Sequence, residues 1–288
     1  MLDRILEWLT APFSRTARLV VLPIVGLMLV TTFVFLGFPY EVLADRAVNA
    51  LERQTGAMIR YGEVEPRLIP APGFRFHQVD VRTADGRRYQ ADPVSVRPAW
   101  SLGWLTGEPQ IRAYMVSDHG SLAGFVTVGR GVYAWDGRIV DLDLAALPLP
   151  ADQRIELTGR ADIDADVRWD DGAAEGEIEL TARQGEVVHS MVPMPIEFES
   201  VTGRIELGGE ALARIDSFAL EGPLFGAAVS GSIGQAADPT KAPLDLQIGI
   251  DVREPGMRSM AKQFGLTLDE DGHADLDVSG TVSKPRLR

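Results

Sequence analysis

The side chains in this chain best suited to metal binding or proton transfer are four histidines, His77, His119, His189 and His273, and their spacing matches no zinc motif. The run Asp162-Ile163-Asp164-Ala165-Asp166 begins like a calcium loop. Its sixth position is Val167, where the turn of an EF-hand needs glycine, so alternating acids on the wet face of a strand account for it better. Asp269–Asp275 (DEDGHAD) could attract a cation, yet Asp271-Gly272 at its centre reads as a hairpin turn. Cysteine does not occur, which excludes thiolate metal sites, thiol catalysis and a disulfide framework. Neither Gly-x-Ser-x-Gly, nor a P-loop, nor a dinucleotide fingerprint is found. The expectation is a non-enzymatic chain with no metal and no cofactor.

The informative spacing is aliphatic. Ile155, Leu157, Gly159, Ala161, Ile163, Ala165 and Val167 alternate with Glu156, Thr158, Arg160, Asp162, Asp164 and Asp166. A period of two predicts a long strand with one apolar face. Ile178 and Leu180 repeat the pattern against Glu177 and Glu179. So do Leu246, Ile248 and Ile250 against Asp245, Gln247 and Asp251, and Leu276 and Val278 against Asp275 and Asp277. Ile155, Leu157, Ile163, Val167, Ile178, Leu180, Leu246, Ile248, Ile250, Leu276 and Val278 are therefore the candidate lining of an apolar surface.

The elements that position them are strands joined by tight turns. Asp85-Gly86, Asp136-Gly137, Asp171-Gly172, Gly208-Gly209 and Asp271-Gly272 supply the positive φ angles of short hairpin loops. The chain should run as an antiparallel meander over residues 58–288, interrupted by short helices near Pro98–Leu105 and Pro255–Phe264. Little helix is left to cover the apolar face. The sheet must close as a sandwich or barrel, or curl into a half-pipe whose apolar side is a groove, and the scarcity of helix favours the groove. The apolar loop Met191–Ile196, with Pro193 and Pro195, reads either as a partner-binding lip or as a cover over the sheet's open end.

Ahead of the strands, Leu19–Phe38 holds twenty residues without a charge, Asn, Gln or His. As a helix it would span ~30 Å, the thickness of a bilayer's hydrocarbon core. Its length, and Gly37-Phe38-Pro39-Tyr40 at its end, fit a retained anchor better than a cleaved signal. Arg4, Arg15 and Arg18 precede it, while Glu41 and Asp45 follow, which predicts a cytoplasmic N-terminus and an exported remainder. The expected divisions are a cytoplasmic segment at 1–18, a transmembrane helix at 19–38, a juxtamembrane helix at 39–57 and a β-rich domain at 58–288. Net charge is −13, and because the three arginines before the span outnumber Asp3 and Glu7, the part beyond it is more acidic still. Such an acidic domain is a poor partner for nucleic acid.

Three further stretches carry a resemblance. Phe38-Pro39-Tyr40 follows the span, Arg67-Leu68-Ile69-Pro70-Ala71-Pro72-Gly73-Phe74-Arg75-Phe76 opens the strands, and Val278-Ser279-Gly280-Thr281-Val282-Ser283-Lys284-Pro285-Arg286 closes them. Their order resembles the N component of bacterial type II secretion systems (GspN), in the form related to the AsmA-like proteins. The resemblance implies a single-pass inner-membrane protein with a periplasmic curled sheet, accessory to protein secretion across the outer membrane, with other secretion-system proteins as partners. It implies no active-site residues. The AsmA-like relationship implies an alternative, an apolar groove that binds or transfers phospholipid.

Overall fold

The structure is a computed structural model that describes residues 23–30, 40–67, 73–83, 86–99, 101–129, 131–147, 155–170, 173–189, 195–236, 238–256, 258–259 and 267–287. The chain divides into two compact units, Met1–Thr55 and Gly56–Arg288. In the first, residues 23–30 are helical, with Ile24, Leu27 and Met28 exposed. The rest of the expected span lies outside the described residues, among which no helix is long and apolar enough to cross a membrane. Helix α1 (Tyr40–Thr55) follows. It ends as its sequence requires: Gly56 has a φ of 68°, a left-handed conformation open to glycine at little cost. Near that end Arg53 Nε donates to the Asn49 carbonyl at 3.0 Å, a cation where the helix dipole is negative.

The second unit is one open antiparallel sheet. Its strands are β1 (Met58–Arg60), β2 (Glu63–Arg67), β3 (Gly73–His77), β4 (Val79–Arg82), β5 (Arg88–Pro98), β6 (Gln110–Ser117), β7 (Gly120–Val128) and β8 (Val132–Asp143). There follow β9 (Ile155–Asp170), β10 (Ala173–His189), β11 (Ile196–Leu207), β12 (Ala211–Glu221), β13 (Phe225–Gly234), β14 (Pro243–Val252), β15 (His273–Thr281) and β16 (Lys284–Leu287). From β5 to β16 each strand pairs with the next. The start departs from the expected meander. β5 is long enough to pair along one edge with both β3 and β4, β2 flanks β3, and β1 flanks β4. The far margin is β16, which pairs with β15, so the sheet does not close.

Several strands carry an extra residue that shifts the ladder: between Ala91 and Val94, Ile139 and Leu142, Arg183 and Glu186, and Ile215 and Phe218. Such bulges bend a strand and increase its twist. Asp141 and Gln184 lie inside two of these shifts with φ of 55° and 45°. Two sequence expectations need correction. Asp136-Gly137 is not a turn but the middle of β8, where Gly137 faces Gly124 of β7. Pro98 ends β5, and the helix beyond it, α2, is confined to Gly103–Thr106. Residues 255–256 and 258–259 of the second expected helix are helical, and the remainder of Pro255–Phe264 lies outside the described residues, as does Met191–Met194.

The tightly packed part is small. Leu144, Ala161, Ala182, Phe198 and Val201 form one buried cluster, flanked by Leu147, Leu157, Leu180, Val187, Phe218 and Leu220. It occupies the end of the sheet where β9 and β11 begin and β10 finishes. No large side chain among the described residues is fully buried.

Candidate functional site

Register places the candidate lining residues on one face. Ile163 lies opposite Leu180 and Ala165 opposite Ile178 across β9 and β10. Leu246 lies opposite Val278, and Ile248 opposite Leu276, across β14 and β15. Leu157 faces Val187, Val167 faces Gly176 and Ile250 faces Ala274. Ile155 opens β9 opposite His189 at the end of the same face.

The strands between these pairs join them into continuous rows. Following directly opposite residues from strand to strand, beginning in β2, leads through Val64, Phe76, Val94, Met115, Leu122 and Ile139 to Ile163. From there the row continues through Leu180, Gly203, Phe218, Val229 and Ile248 to Leu276. No polar side chain interrupts it, and at ~4.8 Å per strand it runs for roughly 58 Å. A parallel row passes from Phe74 through Ala113, Gly137, Ile178 and Ile205 to Leu246 and Val278. Every residue of the first row is half-buried, neither sealed in a core nor open to water on all sides.

Aromatic rings keep this face low. A Cβ on Gly203 would come within 2.8 Å of Phe218 on the neighbouring strand, and one on Gly185 within 2.3 Å of Phe198. Trp135 lies across Gly124 and Gly137, at 2.9 and 2.7 Å from the Cβ each would carry. Each ring therefore lies along the sheet, over a residue with no side chain, rather than standing up from it.

The opposite face is polar, and ion pairs cross its strands. Arg138, Asp164, Glu179 and Arg204 are successive cross-strand partners. Arg138 Nε reaches Asp164 at 2.6 Å, and Arg204 binds both Glu177 and Glu179. Hydrogen bonds to these carboxylates hold the Arg138 and Arg204 guanidinium groups above their usual range. Asp162, the first acid of the calcium-like run, takes Arg183 and the Asp141 amide. A depression of about 370 Å³ on this face is lined by Asp136, Arg138, Asp164 and Glu177, acids mixed with their arginine partners. Among the described residues no group of three His, Asp or Glu is placed to hold a metal ion.

One segment lies over the apolar face. Asp143 caps a 3-10 turn, Leu144–Ala146, by accepting from the Ala145 amide at 3.1 Å. Leu144 drops into the buried cluster. The chain then turns back toward β5, where Tyr89 Oη donates to the Ala146 carbonyl at 2.9 Å and Arg87 donates to that of Leu147. The Asp143 amide also binds the His119 carbonyl at 2.9 Å, between β6 and β7.

Three of the histidines pair with aspartates, and the side chain of His189 lies outside what the structure describes. His77 Nδ1 is 2.8 Å from Asp92, and His119 Nδ1 is 3.5 Å from Asp143. His273 bridges Asp251 on β14 and Asp275 on its own strand, at 2.7 and 3.1 Å. Asp269 accepts from the Asp271 and His273 amides, which makes DEDGHAD the turn its Asp-Gly suggested. Asp251, then Asp275, raises the His273 pKa above 6.5. A raised folded pKa adds stability that is complete below the unfolded value near 6.5. It is lost as pH rises through the folded value. Urea midpoints of the protein and of His273→Gln should therefore differ most in mild acid and converge toward alkaline pH. A gap that does not change with pH would remove the imidazolium from this account.

Sequence reasoning missed most of the row outside β9, β10, β14 and β15. In β12 the apolar residues are Ala213 and Ile215 and then Phe218 and Leu220, a change of parity at the bulge. β5 and β8 break their alternation in the same way. A search for two half-length alternations separated by one extra residue would have found them. No family model, no curated protein and no solved structure matches the chain.

Proposed function

We propose that this chain is a non-enzymatic envelope protein, anchored in the inner membrane by Leu19–Phe38, whose periplasmic sheet takes up phospholipid acyl chains along its apolar face. The observation that carries the reading is the uninterrupted, half-buried row from Val64 to Leu276. Half-covering a chain of sixteen methylenes gains on the order of 6 kcal/mol at ~0.8 kcal/mol for each one fully buried. That is enough for binding once part of it is lost to ordering. Curling of the sheet into a half-pipe is supported by the bulges that bend several of its strands and by the reach of Leu144–Leu147 from the end of β8 toward β5. In this arrangement the row runs along the groove and the strands curve around it.

The test is direct. The full chain, extracted in a mild non-ionic detergent, should carry phospholipid detectable by mass spectrometry, in excess of an unrelated single-span protein prepared alongside. Lipid at or below that control sinks the reading.

A second reading, accessory to type II secretion, is supported by the stretches around Gly73 and Gly280. Both glycines also have local reasons. A Cβ at Gly73 would meet Arg97 at 2.6 Å, and Gly280, paired with Pro285 near the end of β15, has a φ of 101°. On this reading the same face seals against a secretion-system protein. Secretion genes flanking its gene would favour it, and lipid-envelope genes would favour the first.

A further inference from the structure

We propose that Arg60, Arg82 and Arg88 form a phosphate-binding site on the polar side of the sheet's first margin, and that its ligand is the phosphate of a phospholipid headgroup. The three stand on β1, β4 and β5 and line one depression of about 260 Å³ together with Met58 and Asp80. Register brings them together. Arg60 lies opposite Asp80, and Arg82 lies opposite Met58 on one side and Arg88 on the other. Like charges directly opposite each other on neighbouring strands repel, so the Arg82–Arg88 pair needs an anion to be comfortable.

The depression supplies a single carboxylate, and it is already engaged. Asp80 Oδ2 accepts from Arg88 Nε at 2.6 Å. That hydrogen bond is the main reason the Asp80 carboxyl is held below its usual range. Three guanidinium groups thus share one carboxylate, and the hollow keeps an excess of positive charge. The neighbourhood is also cationic in an acidic protein. Residues 56–98 contain seven arginines and five acids, whereas the whole chain carries −13. A locally positive hollow on such a molecule concentrates small anions there rather than elsewhere on its surface.

Chemistry narrows the anion. Arginine presents paired N–H donors in a planar fork that matches two oxygens of a phosphate. The positive charge here is arginine alone, without lysine. Position narrows the source. β1 is the first strand of the sheet, separated from α1 by Gly56 and Ala57 only, so this margin is the part of the sheet nearest along the chain to the expected membrane span. The assignment to a headgroup rests on the acyl-chain reading. The phosphate site itself does not.

Calorimetric titration of the full chain in non-ionic detergent at low salt tests both. The probes are dihexanoyl phosphatidylglycerol, dihexanoylglycerol and inorganic phosphate. The phospholipid should bind at least about tenfold more tightly than the phosphate-free diacylglycerol, and the Arg60→Gln/Arg82→Gln variant should lose roughly that factor. Arg60→Lys/Arg82→Lys should recover only part of it, because charge is kept and the fork is not. Phospholipid affinity unchanged in the glutamine variant overturns the site. Inorganic phosphate binding as tightly as the phospholipid keeps the site and overturns the headgroup. Ile163→Asp separates this from the acyl reading. If that variant retains its lipid while the glutamine variant still loses phosphate, the acyl reading fails and the arginine site stands.

Discussion

Ile163→Asp should leave the protein folded and strip it of acyl chains. Ile163 sits mid-row between Ile139 and Leu180 and is half-buried, so part of its surface is open to water. A carboxylate there keeps access to water in the unliganded protein, so the fold loses little more than the partial burial of one isoleucine, about 1–2 kcal/mol. A bound hydrocarbon chain removes that access. An ionised group held against it without a partner costs at least about 2–4 kcal/mol, a loss of roughly 30- to 1,000-fold in affinity. Displacement of a fluorescent fatty acid measures the affinity, and far-ultraviolet circular dichroism with a urea titration measures the fold. Asp164→Asn is the matching change on the other face. It alters the partner of Arg138 and should leave lipid affinity unchanged. A folded Ile163→Asp protein with full lipid affinity would falsify the placement of the binding surface. An unfolded one would show that this face is a closed core.

The strand content was legible wherever alternation ran unbroken. β9 announces itself because one extended segment of it places every second side chain on the same face. The helix at Tyr40–Thr55 and its glycine stop were legible for the same reason, a local rule with a local signal. What could not be read is what depends on pairing. Asp136-Gly137 has the composition of a turn, but the Trp135 ring across Gly137 and Gly124 makes it the middle of a strand. The parity changes of β5, β8 and β12 hide half of the apolar row, since each bulge is fixed by a neighbouring strand rather than by its own residues. The arginine hollow was illegible for a stronger reason. Arg82 and Arg88 are close in sequence, but Arg60 precedes them by a long stretch and joins them only because β1 pairs with β4. The choice between an open and a closed sheet turned on the ends of the sheet, and no residue carries that information alone.

Phe198→Ala should do the reverse of Ile163→Asp, costing stability and sparing the binding row. Phe198 is 4% exposed, the largest side chain of the buried cluster, and its ring fills the space over Gly185 on β10. Truncation removes the ring and leaves a cavity whose floor has no side chain to move into it. Losses of about 3–5 kcal/mol follow from such changes, a large share of the ~5–15 kcal/mol that holds a typical domain together. The urea midpoint should fall accordingly. Gly185→Ala cannot refill the space, although it adds a methyl group at the right place. Its Cβ would lie 2.1 Å from the Thr158 carbonyl oxygen, which belongs to the backbone of β9 and cannot swing aside. The double variant should therefore be no more stable than Phe198→Ala alone. Recovery of stability in the double variant would mean that β9 yields at Thr158 and that the cluster is softer than its geometry implies. In the folded fraction of Phe198→Ala, fatty-acid affinity should stay within about twofold of the unaltered protein. The cluster touches the row at Leu180 and Phe218 only, and the other residues of the row lie away from it. A loss of affinity as large as that of Ile163→Asp would instead mean that the buried end and the half-buried row act as one surface.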